Sequence, residues 1–230
     1  MSKHIRFLFI LALAAAAFSL STASADTIIP VTNYSFESGA SLTQNGACNS
    51  TYSIGPIAGW TETGPGPAGQ FNPGAPGCIF SSIPAGSLVA YTNGGTISQT
   101  VAATVVPGDT YTLTVFQGTR ADCCDAGGAT EDLLINGTQY LATGTLATAG
   151  NWNQFIATYT GLAADAGDSI TIQLSGTGIQ ANFDDVTLSY TTSGANGPSA
   201  VPEPAHLSVL AGALGGLMLL VRKRNAKLCR

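Results

Sequence analysis

Alternation of apolar and hydroxyl-bearing residues is the feature of this sequence that most limits its fold. Segment 110–116 places Tyr111, Leu113 and Val115 at every second position, with threonines between them. Segments 154–160 and 169–175 follow the same period of two. This period puts apolar side chains on one face of a β-strand and polar side chains on the other. The three segments therefore predict half-buried strands rather than helices.

Further short strands are predicted along the chain, and turn sequences such as Asn136-Gly separate them. They lie at 28–36, 57–63, 86–92, 96–101, 131–136, 138–143 and 179–190. No long amphipathic helix is predicted between them, and the turns recur at short intervals. We therefore predict an all-β protein, an antiparallel β-sandwich of the jelly-roll type over residues 26–193.

Charge is distributed unevenly along the 230 residues. Lys3 and Arg6 precede the predicted sandwich and five cations follow residue 221, so Arg120 is the only Lys or Arg among residues 26–193. Twelve acidic residues accompany it there, which gives this region a charge of −11. Nucleic-acid binding draws most of its affinity from Lys and Arg that neutralise phosphates. The composition therefore excludes nucleic acid as a partner.

Histidine is equally uneven, because His4 and His206 are the only two in the chain. A sandwich without His and Lys has no Ser-His-Asp or Cys-His catalysis and no Schiff-base lysine. Carboxylate chemistry of the glycoside-hydrolase kind remains as a remote alternative. Its candidates are Glu37, Glu62, Asp122, Asp125, Glu131, Asp132, Asp184 and Asp185. Since no motif pairs two of them across a cleft, we predict that the protein is not an enzyme.

The N-terminus has the pattern of an export signal. Lys3 and Arg6 come first, an apolar run covers 7–20, and the chain then reads Ala-Ser-Ala up to Ala25. A basic start, an apolar run and an Ala-x-Ala site are typical of a secretory signal peptide. We predict a signal peptide over 1–25, cleaved after Ala25.

The C-terminus has three parts after a flexible linker at 194–200. Pro202, Glu203 and Pro204 form a Pro-Glu-Pro motif, an apolar run follows at 205–221, and a basic tail occupies 222–230. An apolar helix of this length spans roughly 25 Å, near the short limit for crossing a membrane. We predict a transmembrane helix over 205–221, with the basic tail in the cytoplasm.

This order of motif, helix and basic tail over 201–230 resembles the PEP-CTERM sorting signal of Gram-negative bacteria. The resemblance implies processing by an exosortase at Pro202, Glu203 and Pro204. It also implies a membrane intermediate, in the inner membrane, followed by delivery to the cell surface or the exopolysaccharide matrix. A permanent membrane anchor at 205–221 is the alternative.

Both ends of the predicted sandwich resemble the first and last strands of galactose-binding-like jelly rolls, which include carbohydrate-binding modules. Segments 31–37, 59–60 and 181–188 carry the resemblance. In the last of these, Asp184 and Asp185 interrupt the alternation, which predicts a bulge where a carboxylate could point inward. Tyr52, Phe71, Phe80 and Tyr91 could stack on sugars, although no pattern places them on one face.

A buried carboxylate requires a compensating charge, and a cation from solution is the expected source. The resemblance implies a structural Ca²⁺ held by the Glu of the first strand and the Asp of the last. It nominates Glu37 and Asp185, with Asp184 and Asn33 as weaker candidates. Oxygen ligands suit calcium, and the missing His disfavours zinc. Two solvated turn acids are the alternative.

Four cysteines lie in the predicted exported region, namely Cys48, Cys78, Cys123 and Cys124. Cysteines in an oxidising compartment form disulfides, and four of them allow three pairings. One arrangement joins Cys48 to Cys78. The other pairs each of them with Cys123 or Cys124, and we favour it because adjacent cysteines rarely bond to each other.

The sequence as a whole thus predicts an exported, exosortase-processed protein of the cell surface or exopolysaccharide matrix, with a non-catalytic sandwich. The alternative from another class is a calcium-dependent, lectin-like carbohydrate-binding module. Neither prediction identifies a ligand, because loop residues determine specificity and a fold does not determine function.

Overall fold

A computed structural model describes residues 25–39, 41–123, 128–177 and 180–192. The predicted signal peptide up to residue 24, the linker, the Pro-Glu-Pro motif, the helix at 205–221 and the basic tail all lie outside these ranges. Within the ranges described, no helix is long and apolar enough to cross a membrane.

The described residues contain fourteen strands and two short 3-10 helices, which loops connect. The strands are β1 (Thr27–Ile29), β2 (Gln44–Asn45), β3 (Thr51–Tyr52), β4 (Thr61–Thr63), β5 (Ala68–Asn72), β6 (Val89–Thr92), β7 (Thr96–Thr104), β8 (Thr110–Thr119), β9 (Ala129–Ile135), β10 (Thr138–Leu141), β11 (Thr143–Gly144), β12 (Asn151–Thr160), β13 (Ser169–Gly176) and β14 (Ala181–Thr191). The 3-10 helices are Ala47–Asn49 and Ala163–Asp165.

The strands form two antiparallel sheets. One has nine strands in the order β11-β12-β8-β14-β6-β5-β3-β2, with β1 paired to β14. The other has five strands in the order β10-β9-β13-β7-β4. The prediction of an all-β antiparallel sandwich is confirmed.

The main core lies between the two sheets, where the period-two pattern predicts it. Apolar residues at alternate positions of β8 and β13 face inward and are at most 2% exposed: Tyr111, Leu113, Val115, Ile170, Ile172 and Leu174. The hydroxyl-bearing residues between them face the opposite side of each sheet. Burial of these apolar surfaces is the principal stabilising contribution to such a fold.

The first predicted strand, 28–36, is mostly a turn. Only Thr27–Ile29 pairs with β14, and Asn33 and Phe36 then adopt positive φ angles of 53° and 58°. The Phe36 N–H donates to the Asn33 carbonyl at 3.0 Å, which closes the turn. Phe36 is fully buried and lies 5.2 Å from Trp60 between ring centres. The apolar character of this segment therefore reflects core packing by a loop.

Strand β5 was not predicted because its sequence does not alternate. Four of its five residues are buried, since the core covers one face and a second apolar cluster covers the other. A strand covered on both faces loses the in-and-out pattern. A Cβ atom at Gly69, the second residue of β5, would lie 2.2 Å from the Ser53 carbonyl oxygen. No larger residue therefore fits at this position.

The predicted interruption at Asp184 and Asp185 is confirmed as a bulge. The register between β14 and β8 shifts between Asp184 and Thr187, and Asp185 has a φ of 46°. Asp184 is fully buried. The bulge thus turns one carboxylate of the pair out of solvent.

The disulfide joins Cys48 to Cys78, whose Cα atoms lie 5.9 Å apart. The favoured pairing of these two cysteines with Cys123 and Cys124 is therefore wrong. Strand β3 pairs with β5 inside the chain segment between Cys48 and Cys78, and this local pairing brings the two cysteines together. Cys123 does not take part in this disulfide bond.

Candidate functional site

A second apolar cluster covers the outer face of the nine-stranded sheet, on the side away from the main core. We call it the outer-face cluster. Its buried members are Phe71, Ile79, Phe80, Val89 and Tyr91, and Cys48, Tyr52, Ile83 and Trp152 pack against them. Aromatic side chains dominate this cluster, which forms a second hydrophobic core on the outer sheet face.

Neighbouring strands bring the rings of this cluster together. Phe71 on β5 pairs with Val89 on β6, and Tyr91 lies two residues further along the same face. The ring centres of Phe71 and Tyr91 are 6.0 Å apart, and those of Phe80 and Trp152 are 4.5 Å apart. The chain between β5 and β6 supplies Phe80, which is one of the buried members of the cluster.

A cavity of about 220 Å³ opens beside the outer-face cluster. Tyr52, Phe71 and Tyr91 form its aromatic wall. Arg120 and Gln180 form a polar end beside this wall. The cavity thus combines aromatic surface with several polar groups, both of which a small molecule can contact.

Tyr91 is held rigidly in the wall. Its hydroxyl donates to the Ser53 carbonyl at 2.7 Å. Burial raises the pKa of Tyr91 to about 12, so the phenol stays protonated at any physiological pH. Tyr52 meets the Tyr91 ring edge-on at 6.3 Å between ring centres. The wall therefore presents neutral aromatic surface.

Arg120 is fixed by three hydrogen bonds. Its Nε and Nη2 donate to the two carboxylate oxygens of Asp122 at 3.0 and 2.8 Å, and its Nη1 donates to Gln180 Oε1 at 2.6 Å. The guanidinium carbon lies 5.7 Å from the centre of the Phe71 ring. Hydrogen bonding from Arg120 lowers the pKa of Asp122. The two side chains therefore form an ionised pair without net charge.

The disulfide holds one rim of the cavity. Gly46, Ala47 and Ser50 line that rim, and the Cys48 sulfur between them is bonded to Cys78. Cys78 directly precedes residues of the outer-face cluster. The bond thus connects the rim to the segment that covers the aromatic rings.

Two of the predicted metal ligands, Glu37 and Asp184, hold one loop. Glu37 Oε1 accepts the backbone N–H groups of Ser87 and Leu88 at 2.8 and 2.6 Å. Asp184 Oδ2 accepts the N–H of Ala85 at 2.9 Å. Burial raises the pKa of Asp184 to about 7 despite these bonds. Backbone N–H groups thus bind both carboxylates, and the Ca²⁺ site expected from the sequence stays a prediction.

The other two predicted ligands, Asn33 and Asp185, make different contacts. Asn33 closes its own turn, since its amide donates to the Ala58 carbonyl at 3.0 Å and its Oδ1 accepts the Ser38 N–H at 2.9 Å. Asp185 lies in a surface groove beside β1. Within the described ranges, no group of three or more His, Cys, Asp or Glu side chains is placed to hold a metal ion.

The remaining acids do not form a catalytic pair. Glu131 and Asp132 are buried in β9, away from the cavity. Burial, with a smaller contribution from the charge of Asp132, raises the pKa of Glu131 to about 8. Asp122 forms an ion pair with Arg120, and Asp125 lies outside the described residues. Nothing in this arrangement favours the glycoside-hydrolase alternative.

Sequence reasoning named Tyr52, Phe71 and Tyr91 as aromatic candidates but could not place them on one face. It identified Arg120 only as the single cation of the region. The isolation of one arginine among twelve acids was the available signal.

Comparisons with known proteins show a family. A family model described as HpiC1-like, HpiC1 cyclase, matches residues 27–189. A search of curated protein sequences found no match.

Solved structures show the same fold. The Stig cyclase FisC from Fischerella sp. TAU, in complex with (3Z)-3-(1-methyl-2-pyrrolidinylidene)-3H-indole, is 22% identical, with a TM-score of 0.61 over 72% of this chain and 98% of that one. A cyclase from Fischerella sp. TAU in complex with 4-(1H-indol-3-yl)butan-2-one is also 22% identical, with a TM-score of 0.60 over 71% and 97%. A xylan-binding CBM22-1 domain from Paenibacillus barcinonensis Xyn10C has 16% identity and a TM-score of 0.42 over 74% and 99%, which is too low to support any argument.

These findings overturn the functional predictions made from the sequence. The prediction that the protein is not an enzyme is wrong, because the matching family model describes a cyclase. The prediction of a non-catalytic cell-surface or exopolysaccharide-matrix protein is wrong for the same reason. Neither the family match, which ends at residue 189, nor the solved structures support the PEP-CTERM resemblance or calcium. The match covers most of the sequence, and the chain belongs to the HpiC1-like cyclase family.

Proposed function

We propose that this protein is a cyclase that closes a ring within one aromatic small molecule bound in the outer-face cavity. The observation that supports the proposal most is the aromatic wall of Tyr52, Phe71 and Tyr91 beside an open cavity. The wall lies in a chain of a cyclase family, and two cyclases of the same fold were solved with indole compounds.

Ring closure joins two atoms of the same substrate molecule, so its main requirement is that the substrate be held folded. Rigid aromatic walls supply such positioning, and restriction to a reactive conformation is worth several kcal/mol of barrier in general. The ring face of Tyr91 can also stabilise positive charge that develops on a substrate during closure. Tyr52 carries a phenol at the same wall and can donate a hydrogen bond to the substrate.

A direct test is to incubate the purified protein with a panel of alkenyl-substituted indoles. Ring closure by isomerisation gives a product of unchanged mass and a new chromatographic retention time, whose structure is then determined by NMR. We expect Phe71→Ala to lower turnover by at least tenfold, because the substrate loses part of the aromatic wall.

A matched pair of variants separates the cavity from the rest of the surface. Tyr52→Phe removes a hydroxyl at the wall, whereas Tyr34→Phe removes one from the half-exposed groove beside β1. We expect turnover to fall for Tyr52→Phe and to stay unchanged for Tyr34→Phe. Equal turnover in wild type, Phe71→Ala and Tyr52→Phe would refute a role for this cavity.

We also propose that the protein is exported from the cytoplasm. A disulfide between Cys48 and Cys78 supports this, since such bonds persist in oxidising compartments. The signal peptide predicted for 1–25 agrees with it. Fractionation of cells that express the full chain provides the test, and exclusive recovery from the cytoplasm with reduced cysteines would contradict export.

A further inference from the structure

The polar end of the cavity has hydrogen-bond donors to spare. A guanidinium carries five N–H groups in a fixed plane. Arg120 uses three of them on Asp122 and Gln180. The second N–H of Nη1 and that of Nη2 have no hydrogen-bond partner among the residues that the structure describes. Arg120 lines the cavity, so a ligand there can approach its guanidinium.

The position of this guanidinium is determined before any ligand binds. Asp122 holds two of its nitrogens in a bidentate pair, Gln180 holds the third, and the Phe71 ring lies 5.7 Å from its central carbon. Its side chain is only 12% exposed. A donor fixed in this way loses little conformational entropy when it binds an acceptor.

The charge around Arg120 favours a neutral acceptor over an anion. Asp122 already neutralises Arg120, and the other Lys and Arg residues of the chain lie before residue 7 or after residue 221. A carboxylate entering the cavity would lose its hydration without gaining an uncompensated cation. A carbonyl oxygen accepts hydrogen bonds at a much lower desolvation cost.

We propose that the cavity selects an aromatic substrate that carries an uncharged carbonyl group. The aromatic ring packs against Tyr52, Phe71 and Tyr91, and the carbonyl oxygen accepts the spare N–H groups of Arg120. Arg120 is then the residue that determines specificity, and its hydrogen bonds also polarise the carbonyl. This inference rests on the proposed function, because it names the substrate class of the same cavity.

Three probes that differ in one group test the inference on the full chain by isothermal titration calorimetry. They are 4-(1H-indol-3-yl)butan-2-one, which carries a ketone, 3-butyl-1H-indole, which carries no oxygen, and 3-(1H-indol-3-yl)propanoic acid, which is anionic and has its carbonyl carbon at the same position as the ketone. We expect the ketone to bind more tightly than the other two. Arg120→Gln should weaken ketone binding about tenfold and change 3-butyl-1H-indole binding less than twofold, as for loss of a charge-assisted hydrogen bond.

Arg120→Lys is the second variant, because it keeps a cation beside Asp122 and loses the planar fork. We expect it to weaken ketone binding by several-fold while the protein keeps its fold. Thermal unfolding of each variant without ligand shows whether the fold is retained.

The possible outcomes separate the inference from the function on which it rests. If none of the probes binds to wild type, the cavity is not the ligand site and the proposed function fails as well. If the ketone and 3-butyl-1H-indole bind alike, and neither Arg120 variant changes this, only the inference is overturned. Tightest binding of the acid would also overturn it, since the preferred acceptor would then be anionic.

Discussion

Trp152 lies directly over Gly118, so closely that a Cβ at position 118 would be 2.8 Å from three carbons of the indole ring. The two residues are register partners on β12 and β8. The indole N–H donates to the Ser82 carbonyl at 3.0 Å, and the ring lies 4.5 Å from Phe80 between centres. Because glycine has no side chain, the Trp152 ring can pack over position 118. From there it contacts the segment that contains Ser82 and Phe80.

Gly118→Ala is therefore expected to displace Trp152 and loosen this segment. Overpacking of this kind costs about 1–3 kcal/mol of unfolding free energy. We also expect weaker binding of 4-(1H-indol-3-yl)butan-2-one, because Phe80 packs against Phe71 of the aromatic wall at 6.3 Å between ring centres. Urea denaturation and calorimetric titration of the variant measure the two effects.

A double-mutant cycle with Trp152→Ala provides the control. If the clash with Trp152 is the cause, Gly118→Ala costs much less in the Trp152→Ala background than in the wild-type background. Additive effects of the two substitutions would show that Gly118 is required for another reason.

The disulfide between Cys48 and Cys78 is expected to contribute both stability and ligand affinity. The two cysteines are 30 residues apart, and a loop of that length corresponds to about 3–4 kcal/mol in the chain-entropy account. The double variant Cys48→Ser, Cys78→Ser avoids a leftover thiol. We expect a lower urea midpoint and weaker ligand binding, because the rim at Gly46–Ser50 is no longer held to residue 78.

A comparison with reduced wild-type protein tests this prediction independently of the serine side chains. Reduction and the double substitution should give the same urea midpoint. Unchanged ligand affinity in both would mean that the rim is held by its other contacts, such as the packing of Gly74 against the Cys48 carbonyl.

The sandwich could be predicted from the sequence because its strands alternate, as in β8 and β13. The cavity could not be predicted from such a pattern. Its wall comes from β3, β5 and β6, of which β5 is covered on both faces and has no periodic pattern. The local pairing of β3 with β5 also determined the disulfide, and no composition rule could show it. Arg120 was visible as a solitary cation, but its function depends on Asp122, Gln180 and Phe71, which only the fold brings to it.

Stability is expected to fall as pH rises because of Glu131. Burial raises the pKa of Glu131 from 4.5 to about 8, so the folded protein holds a proton that the unfolded chain releases above pH 4.5. This contribution is present in full below pH 4.5 and is lost as the pH rises to about 8. The slope for one group reaches at most about 1.4 kcal/mol per pH unit. Urea denaturation at pH 5, 7 and 9 measures it.

Glu131→Gln should flatten this pH dependence, since glutamine keeps the shape of the protonated acid without titrating. Asp132 and Asp184, whose pKa values burial also raises, should leave a residual slope in the variant. Asp26→Asn, at an exposed position, serves as the control and should keep the wild-type slope. An identical pH profile for Glu131→Gln and wild type would contradict the assignment.

Gln99 is expected to stabilise the fold without affecting the cavity. Its side chain is 8% exposed and accepts the N–H of Thr32 at 2.7 Å. It also donates to the carbonyls of Thr32 and Gly59 at 2.9 and 2.8 Å, which ties two loops to β7. Gln99→Met keeps the side-chain length but leaves these backbone groups unpaired, at a cost of about 2–4 kcal/mol. We expect a lower urea midpoint with unchanged affinity for 4-(1H-indol-3-yl)butan-2-one, because Gln99 lies on the five-stranded sheet and the cavity on the other. Weaker ligand binding in a variant that remains folded at the assay temperature would show that the two sheets are energetically coupled.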